Sequence, residues 1–184
     1  LSELEQSPYP YVVKIQGKVK ELIAQHRSSV FDTWLEQDKI SCLPNYALPA
    51  VISPTAFTSM VPKSLYTAEE DMNEYEFKVV WALSELGNVK WWHRNISRLG
   101  FQINGPVHAY PDIIVMLHSG KILMVETKGD HLDNDESKEK AKIGDQWAKL
   151  AGKQYKYYMV FETKQPDYPG AYSLERFMEI VNGL

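Results

Sequence analysis

The sequence predicts an α/β domain in which a mixed sheet is flanked by helices. Of its 184 residues, 44% are hydrophobic and 24% are charged, a balance typical of a globular protein with a buried core. After residue 66, helical patterns alternate with short apolar runs. The predicted order is helix, three strands, helix, strand and closing helix, over residues 67–86, 88–93, 112–117, 121–128, 136–151, 156–161 and 174–181.

Capping signals mark the ends of the predicted helices. Thr67 followed by Glu70 forms a capping box and predicts the start of the first helix. Gly87 follows the expected end of that helix, as glycine commonly does. Ser173 is the expected N-cap of the closing helix.

Two adjacent strands, residues 112–117 and 121–128, form the predicted centre of the sheet. Both are apolar at nearly every position, so we expect both of their faces to be covered. Local chemistry favours a three-residue hairpin loop that ends at Gly120, with this glycine at positive φ. The register that follows sets Asp112 opposite Glu126.

Residues 1–65 are predicted to form a helical and proline-rich region that connects to a missing upstream part. Apolar residues recur at helical spacing over 11–39, with polar breaks between the segments. Four prolines then crowd residues 42–62, where neither a helix nor a central strand can continue. A second domain is expected over 66–184. Because the first residue is Leu1, we expect a piece of a longer polypeptide.

Charge and cysteine content argue against several classes of protein. The 20 basic and 24 acidic residues give a net charge of −4, which argues against a wholly basic surface for nonspecific nucleic-acid binding. No apolar run approaches the roughly 20 residues of a membrane span, so no membrane partner is expected. The single cysteine, Cys42, excludes a disulfide framework and is typical of the reducing cytoplasm.

Acidic and basic side chains meet at the open end of the predicted hairpin. Asp112 begins one strand, and Glu126-Thr127-Lys128 ends the next. Two carboxylates in a poorly solvated place repel each other and favour a cation, and Mg²⁺ prefers such oxygen ligands. Lys128 leaves the same strand face as Glu126, where an ammonium can position an attacking water or neutralise a phosphate. The set suits metal-assisted hydrolysis of a phosphodiester.

The same triplet occurs again as Glu162-Thr163-Lys164, with Asp145 upstream. We reject this copy as a catalytic site because Asp145 falls inside a predicted helix and Gln165-Pro166 ends the strand. A bare Asp…Glu-x-Lys spacing arises about once by chance in a chain of this length, so the structural context decides between the copies.

Glu76 is a further candidate for the site. It shares a predicted helix face with the apolar Val80 and Leu83, so its carboxylate should point toward the sheet. An unpaired carboxylate there would be costly, which favours a role in the site. A salt bridge at the rim is the alternative.

The order of elements and the Pro-Asp…Glu-x-Lys signature resemble the PD-(D/E)xK nuclease superfamily. The match is closer still to the C-terminal endonuclease domain of the Res subunit of type III restriction enzymes and of related DEAD/DEAH-type helicases. The residues that carry this resemblance are Asn73-Glu74-Tyr75-Glu76, Trp92-His93-Arg94-Asn95, Tyr110-Pro111-Asp112, Gly120-Lys121, Val125-Glu126-Thr127-Lys128-Gly129-Asp130, Leu132-Asp133-Asn134, Lys142, Gly144 and Trp147.

The resemblance implies a restriction-endonuclease-like core and a Mg²⁺-dependent DNA endonuclease, with Mn²⁺ as a substitute. The implied metal ligands are Asp112, Glu126 and the backbone carbonyl of Thr127. Lys128 is implied as a catalytic residue, and superfamily members often place a helix glutamate, here Glu76, near the metal.

Arg94, Lys142 and Gln146 are the candidate DNA contacts, with ordinary solvated positions as the alternative. The implied partners are double-stranded DNA, an ATP-driven helicase region upstream in the same polypeptide, and a modification or specificity subunit. ATP would bind only in that upstream motor, since this sequence has no Walker A loop. The expected setting is restriction or phage defence in the cytoplasm.

A catalytically inactive nuclease fold that only binds DNA or scaffolds a larger assembly is the alternative function. The presence of Asp112, Glu126 and Lys128 together speaks against it. A protein-interaction domain unrelated to nucleic acid is a third hypothesis, and it draws only on the acidic net charge.

Overall fold

A computed structural model gives the fold and describes residues 9–42, 46–57 and 61–184. The chain divides into two compact units, Leu1–Ser41 and Cys42–Leu184.

The first unit contains one continuous helix, α1 (Tyr9–Glu36). The predicted polar breaks do not interrupt it, so the expectation of separate helical segments is wrong. An isolated glycine such as Gly17 costs a helix only about 1 kcal/mol relative to alanine. Side-chain pairs offset part of that cost, as between Lys18 and Glu21 at 2.8 Å. No helix in the described part of the chain is both long and apolar enough to cross a membrane.

The second unit is an α/β domain built on one mixed sheet, which confirms the predicted α/β class; the restriction-endonuclease-like core stays a prediction. Its elements are α2 (Glu74–Glu85), β1 (Val89–Arg94), β2 (Ile113–Leu117), β3 (Ile122–Lys128), a 3₁₀ turn (Asp130–Leu132), α3 (Asp135–Ala151), β4 (Tyr155–Phe161), β5 (Ala171–Ser173) and α4 (Leu174–Asn182). The five strands lie in the order β1-β2-β3-β4-β5. The pairs among β1, β2 and β3 are antiparallel, and those among β3, β4 and β5 are parallel.

Helices cover both faces of the sheet. On one face, α2 and α4 share a core with Val115, Val125 and Tyr158. On the other face, α3 lies over β4, where Gly144 packs against the ring of Tyr157. The interior strands β2 and β3 are buried along almost their whole length, as their apolar sequences predict. Their ends carry the polar residues of the candidate site.

Helix α2 begins later than the capping box at Thr67 predicts, and that prediction is wrong. The N-cap is Asn73, which forms a full capping box with Glu76. The competing glutamates at the predicted start are used elsewhere: Glu69 is buried beside His93, and Glu70 accepts hydrogen bonds from Thr55. Tertiary contacts therefore override the local capping signal.

Residues 61–65 lie before the predicted domain boundary but pack against the sheet. The amide of Leu65 donates to the carbonyl of Trp92 (2.8 Å), and the amide of Trp92 donates to the carbonyl of Lys63 (3.0 Å). This pairing joins them to the second unit, which begins at Cys42. Of the predicted proline-rich connector, residues 43–45 and 58–60 lie outside the described residues.

The sequence analysis did not predict strand β5, whereas its prediction of the last helix is confirmed. Strand β5 has three residues, too few for a periodic signal, and pairs in parallel with β4. Directly after it, the Ser173 hydroxyl accepts a hydrogen bond from the amide of Arg176, which confirms the predicted N-cap of α4.

The contact between α3 and β4 depends on a residue without a side chain. A Cβ at Gly144 would lie 2.3 Å from Cδ1 of Tyr157, so Gly144→Ala should destabilise the domain by about 1–3 kcal/mol. Gly87→Ala is the matched control, because nothing lies within 4 Å of its Cβ position. The free energy of unfolding in urea measures both. Equal losses in the two variants would contradict the close packing.

Candidate active site

The β2–β3 hairpin has the register that the sequence predicts. Gly120 has φ = 82°, and the amide of Leu117 donates to the carbonyl of Lys121 at 2.9 Å. Ile113 pairs with Val125, and the same register continued by one residue sets Asp112 across from Glu126. The predictions of a positive φ at Gly120 and of this hairpin register are confirmed.

Asp112 is held in place by the end of β3. Its Oδ2 accepts hydrogen bonds from the amide (2.7 Å) and the hydroxyl (2.8 Å) of Thr127. Two short hydrogen bonds to one carboxylate oxygen fix the direction of the side chain. Thr127 thus positions Asp112 through its amide and hydroxyl, while the predicted metal contact of its carbonyl stays a prediction.

Glu126 is a buried carboxylate with one oxygen unpaired. Its residue is 4% exposed, and its Oε1 lies 2.7 Å from Nζ of Lys128. Its Oε2 is buried and has no hydrogen-bond partner within the described residues. Burial, followed by the nearby charge of Asp112, raises the pKa of Glu126 to about 7. A buried carboxylate in this state is a strong candidate for a cation ligand.

Lys128 supplies the opposing charge. Burial acts to lower its pKa, but the carboxylates of Glu126 and Asp112 outweigh that effect, so the pKa lies above its usual value. The ammonium therefore stays protonated at neutral pH. As the sequence parity predicts, Lys128 and Glu126 contact each other on one face of β3.

Glu76 lies in the first turn of α2 and is buried. Its Oε2 accepts from the amide of Asn73, and its Oε1 lies 2.8 Å from Nη2 of Arg94. Burial raises its pKa, while the charge of Arg94 acts in the opposite direction. Glu76 therefore forms a salt bridge and also lines the cleft described next; its catalytic role stays a prediction.

An open cleft of about 720 Å³ lies at the carboxyl end of β3. Four predicted site residues line it together: Glu76, Asp112, Thr127 and Lys128. The remaining wall comes from the start of α2, the loop after β3 and the end of β4, namely Asn73, Tyr75, Gly129, Asp130, His131, Leu132 and Glu162. The cleft gives a substrate access to the polar end of the hairpin.

The three predicted DNA contacts are not among the residues that line this cleft. Arg94 ends β1, where its guanidinium pairs with Glu76 and Asp112. Lys142 is exposed and Gln146 half-buried, both on α3. Their contact with DNA stays a prediction.

The rejected triplet stabilises the rim of the cleft. The amides of Thr163 and Lys164 each donate to Oδ1 of Asp130 at 3.1 Å, and the Thr163 hydroxyl donates to Oδ2. The ammonium of Lys164 also pairs with Asp133. These bonds tie the end of β4 to the segment after β3, so this copy of the motif anchors a loop.

Sequence reasoning missed Lys140, a residue of α3. Its ammonium pairs with Glu136 one turn earlier at 2.8 Å, and its positive charge acts to lower the pKa of Glu126. The i,i+4 spacing of Glu136 and Lys140 was visible in the sequence, but only the packing of α3 on the sheet brings this charge close to the hairpin.

The chemistry of the donor set fits a hard divalent cation. Within the described residues, no group of three or more His, Cys, Asp or Glu side chains is arranged to hold a metal ion. Mg²⁺, however, needs only one or two carboxylates because it keeps most of its waters. Asp112 and Glu126 form such a pair, and the unpaired Oε2 of Glu126 offers a ready oxygen ligand.

The raised pKa of Glu126 makes stability depend on pH. The folded protein binds this proton up to about pH 7, whereas the unfolded chain releases it near its ordinary pKa of 4.5. The free energy of unfolding should therefore fall by about 1 kcal/mol per pH unit as the pH rises between these values. Urea denaturation of the wild type in EDTA, compared with Glu126→Gln, measures this. Parallel pH profiles for the two proteins would contradict the raised pKa.

Comparison with protein-family models, with curated proteins and with solved structures gives no match for this chain.

Proposed function

We propose that this chain is a Mg²⁺-dependent DNA endonuclease domain that hydrolyses phosphodiester bonds on a restriction-endonuclease-like core. The observation that carries the proposal is the set of charged side chains at the end of the β2–β3 hairpin. Asp112 and Lys128 line an open cleft there, and the ammonium of Lys128 contacts the buried, half-paired Glu126, which is not itself among the lining residues. These groups have the donor chemistry that metal-assisted hydrolysis requires.

Each residue has a role that follows from its surroundings. Asp112 and Glu126 would hold Mg²⁺ or Mn²⁺, with the Thr127 carbonyl as a third ligand; the ion would supply Lewis acidity toward a phosphate oxygen. Lys128 lies at the cleft wall with its ammonium charged, so it can orient a water or neutralise a non-bridging phosphate oxygen. Glu76 adds a carboxylate that is already partly neutralised by Arg94.

The wider assignment follows the resemblance of the motifs to type III restriction enzymes. In this proposal the domain is the cutting module of a helicase whose ATP-binding motor lies upstream in the same polypeptide. It acts on double-stranded DNA in the cytoplasm, alongside a modification or specificity subunit. Lys142 and Gln146 on α3 are the proposed DNA contacts.

Cleavage of plasmid DNA in Mg²⁺, Mn²⁺ and EDTA tests the activity. Asp112→Ala and Glu126→Ala should each reduce the cleavage rate to below about a hundredth of wild type because each removes a metal ligand. Lys128→Met should lose about 10²–10⁴-fold in rate yet keep metal binding, since the ammonium is not a ligand.

Lys164→Met is the matched control, because it removes the lysine of the second Glu-Thr-Lys triplet, and it should cut like the wild type. Activity that depends on Lys164 and not on Lys128 would contradict the choice of triplet. Binding of DNA without any metal-dependent cutting would instead favour the inactive, DNA-binding alternative.

Metal binding should also appear as a change in stability. A ligand at about 100 times its Kd stabilises the folded state by about 2.7 kcal/mol, so Mg²⁺ should raise the melting temperature of the wild type. Asp112→Asn should abolish that rise. Asp130→Asn is the matched control, because Thr163 holds Asp130 much as Thr127 holds Asp112. A wild-type melting curve that does not respond to Mg²⁺ would count against the site.

A further inference from the structure

The guanidinium of Arg94 contacts two carboxylates of the candidate site, Glu76 on α2 and Asp112 directly before β2. Its Nη2 lies 2.8 Å from Oε1 of Glu76 on α2, and its Nη1 lies 3.4 Å from Oδ1 of Asp112 at the start of β2. Nη1 also donates to the backbone carbonyls of Asp112 (2.9 Å) and Asn95 (3.2 Å). One guanidinium therefore contacts both the side chain and the backbone carbonyl of Asp112, in addition to the side chain of Glu76.

A second, largely buried layer of side chains holds the backbone of Arg94. The carboxylate of Glu69 accepts a hydrogen bond from the amide of Arg94 at 3.1 Å, and its Oε2 lies 2.8 Å from Nδ1 of His93. Its other oxygen accepts from the hydroxyl of Ser64 at 2.9 Å. Glu69 and His93 are almost completely buried. The backbone at the end of β1 is thus held by the buried Glu69, while the guanidinium of Arg94 points toward the candidate site.

As a result, both carboxylate oxygens of Asp112 are held by protein contacts. Thr127 binds Oδ2 from one side, and Arg94 approaches Oδ1 from the other. Glu76 is held in the same way, by Asn73 on one oxygen and by Arg94 on the other. A planar guanidinium can hold two acceptors at a fixed spacing, which a lysine ammonium cannot do.

We infer that Arg94 is a positioning residue, which aligns Asp112 and Glu76 for a divalent cation and does not bind DNA phosphates. The inference rests on the proposed function, because it assigns Arg94 to the same metal site. Groups that orient metal ligands in this way typically change metal affinity about 10–100-fold when they are replaced. The side chain is 17% exposed and is turned to protein acceptors, which suits this role better than contact with a DNA backbone.

Arg94→Lys is the decisive variant because it keeps the positive charge but removes the planar guanidinium that holds two acceptors at once. Mn²⁺ affinity, measured by isothermal titration calorimetry, should weaken about 10–100-fold, and the loss of a positive charge cannot explain such a change. DNA affinity in EDTA, measured by fluorescence anisotropy, should stay at the wild-type value. Arg176→Lys is the matched control: it alters an exposed Arg–Glu pair at 2.7 Å and should change neither quantity.

The outcomes separate this inference from the proposed function. A wild type that binds Mn²⁺ and an Arg94→Lys variant that binds it within twofold would overturn the inference alone. Weaker DNA binding with unchanged Mn²⁺ affinity would also overturn it, in favour of a DNA contact. A wild type that binds no Mn²⁺ would overturn both.

A measurement without any variant covers the case in which Arg94→Lys fails to fold. In the metal-free wild type, NMR of the guanidinium should show slow rotation of the Arg94 group, because it bonds to four acceptors. Free rotation, comparable to that of the exposed Arg176, would overturn the inference.

Discussion

The pairing register of the β2–β3 hairpin is the constraint on which the rest of the site depends. A shift of one residue would turn Glu126 to the opposite face of the sheet from Asp112. The three-residue loop prevents that shift because Gly120 adopts a positive φ at its end. Burial of both strands on both faces then locks the register, since any slip would expose apolar side chains along β2 and β3.

The fold also balances the charges that this register brings together. Three carboxylates, from Glu76, Asp112 and Glu126, share the region with the cations of Arg94 and Lys128. The pairing is incomplete, because Oε2 of Glu126 is left without a partner in the described part of the chain. Burial without full compensation raises the pKa of Glu126, and a divalent cation would relieve that cost. The unpaired oxygen of Glu126 is therefore the feature of this network on which the proposed metal site rests.

Local and periodic signals predicted most of the fold and the centre of the site. The strands β2 and β3, their register and the cap at Ser173 all depend on residues close in sequence. The predicted start of α2 was wrong because Glu69 bonds to His93, which is distant in sequence, and no local sequence pattern indicates such a contact. The contacts of Arg94 and the position of Lys140 near Glu126 could not be predicted for the same reason, since each depends on elements that meet only in the folded domain.

The two Glu-Thr-Lys triplets show that environment, rather than the motif, decides the chemistry. The first triplet ends β3 and the second directly follows the parallel strand β4. In both, the threonine amide and hydroxyl hold an aspartate: Thr127 holds Asp112, and Thr163 holds Asp130. Their glutamates differ in burial: 5% of the Glu126 side chain is exposed, against 45% for Glu162. An exposed carboxylate is already solvated and gains little from a cation, whereas a buried one gains much. The same residue triplet therefore forms part of a candidate catalytic site at the end of the central strand β3 and a loop anchor directly after β4.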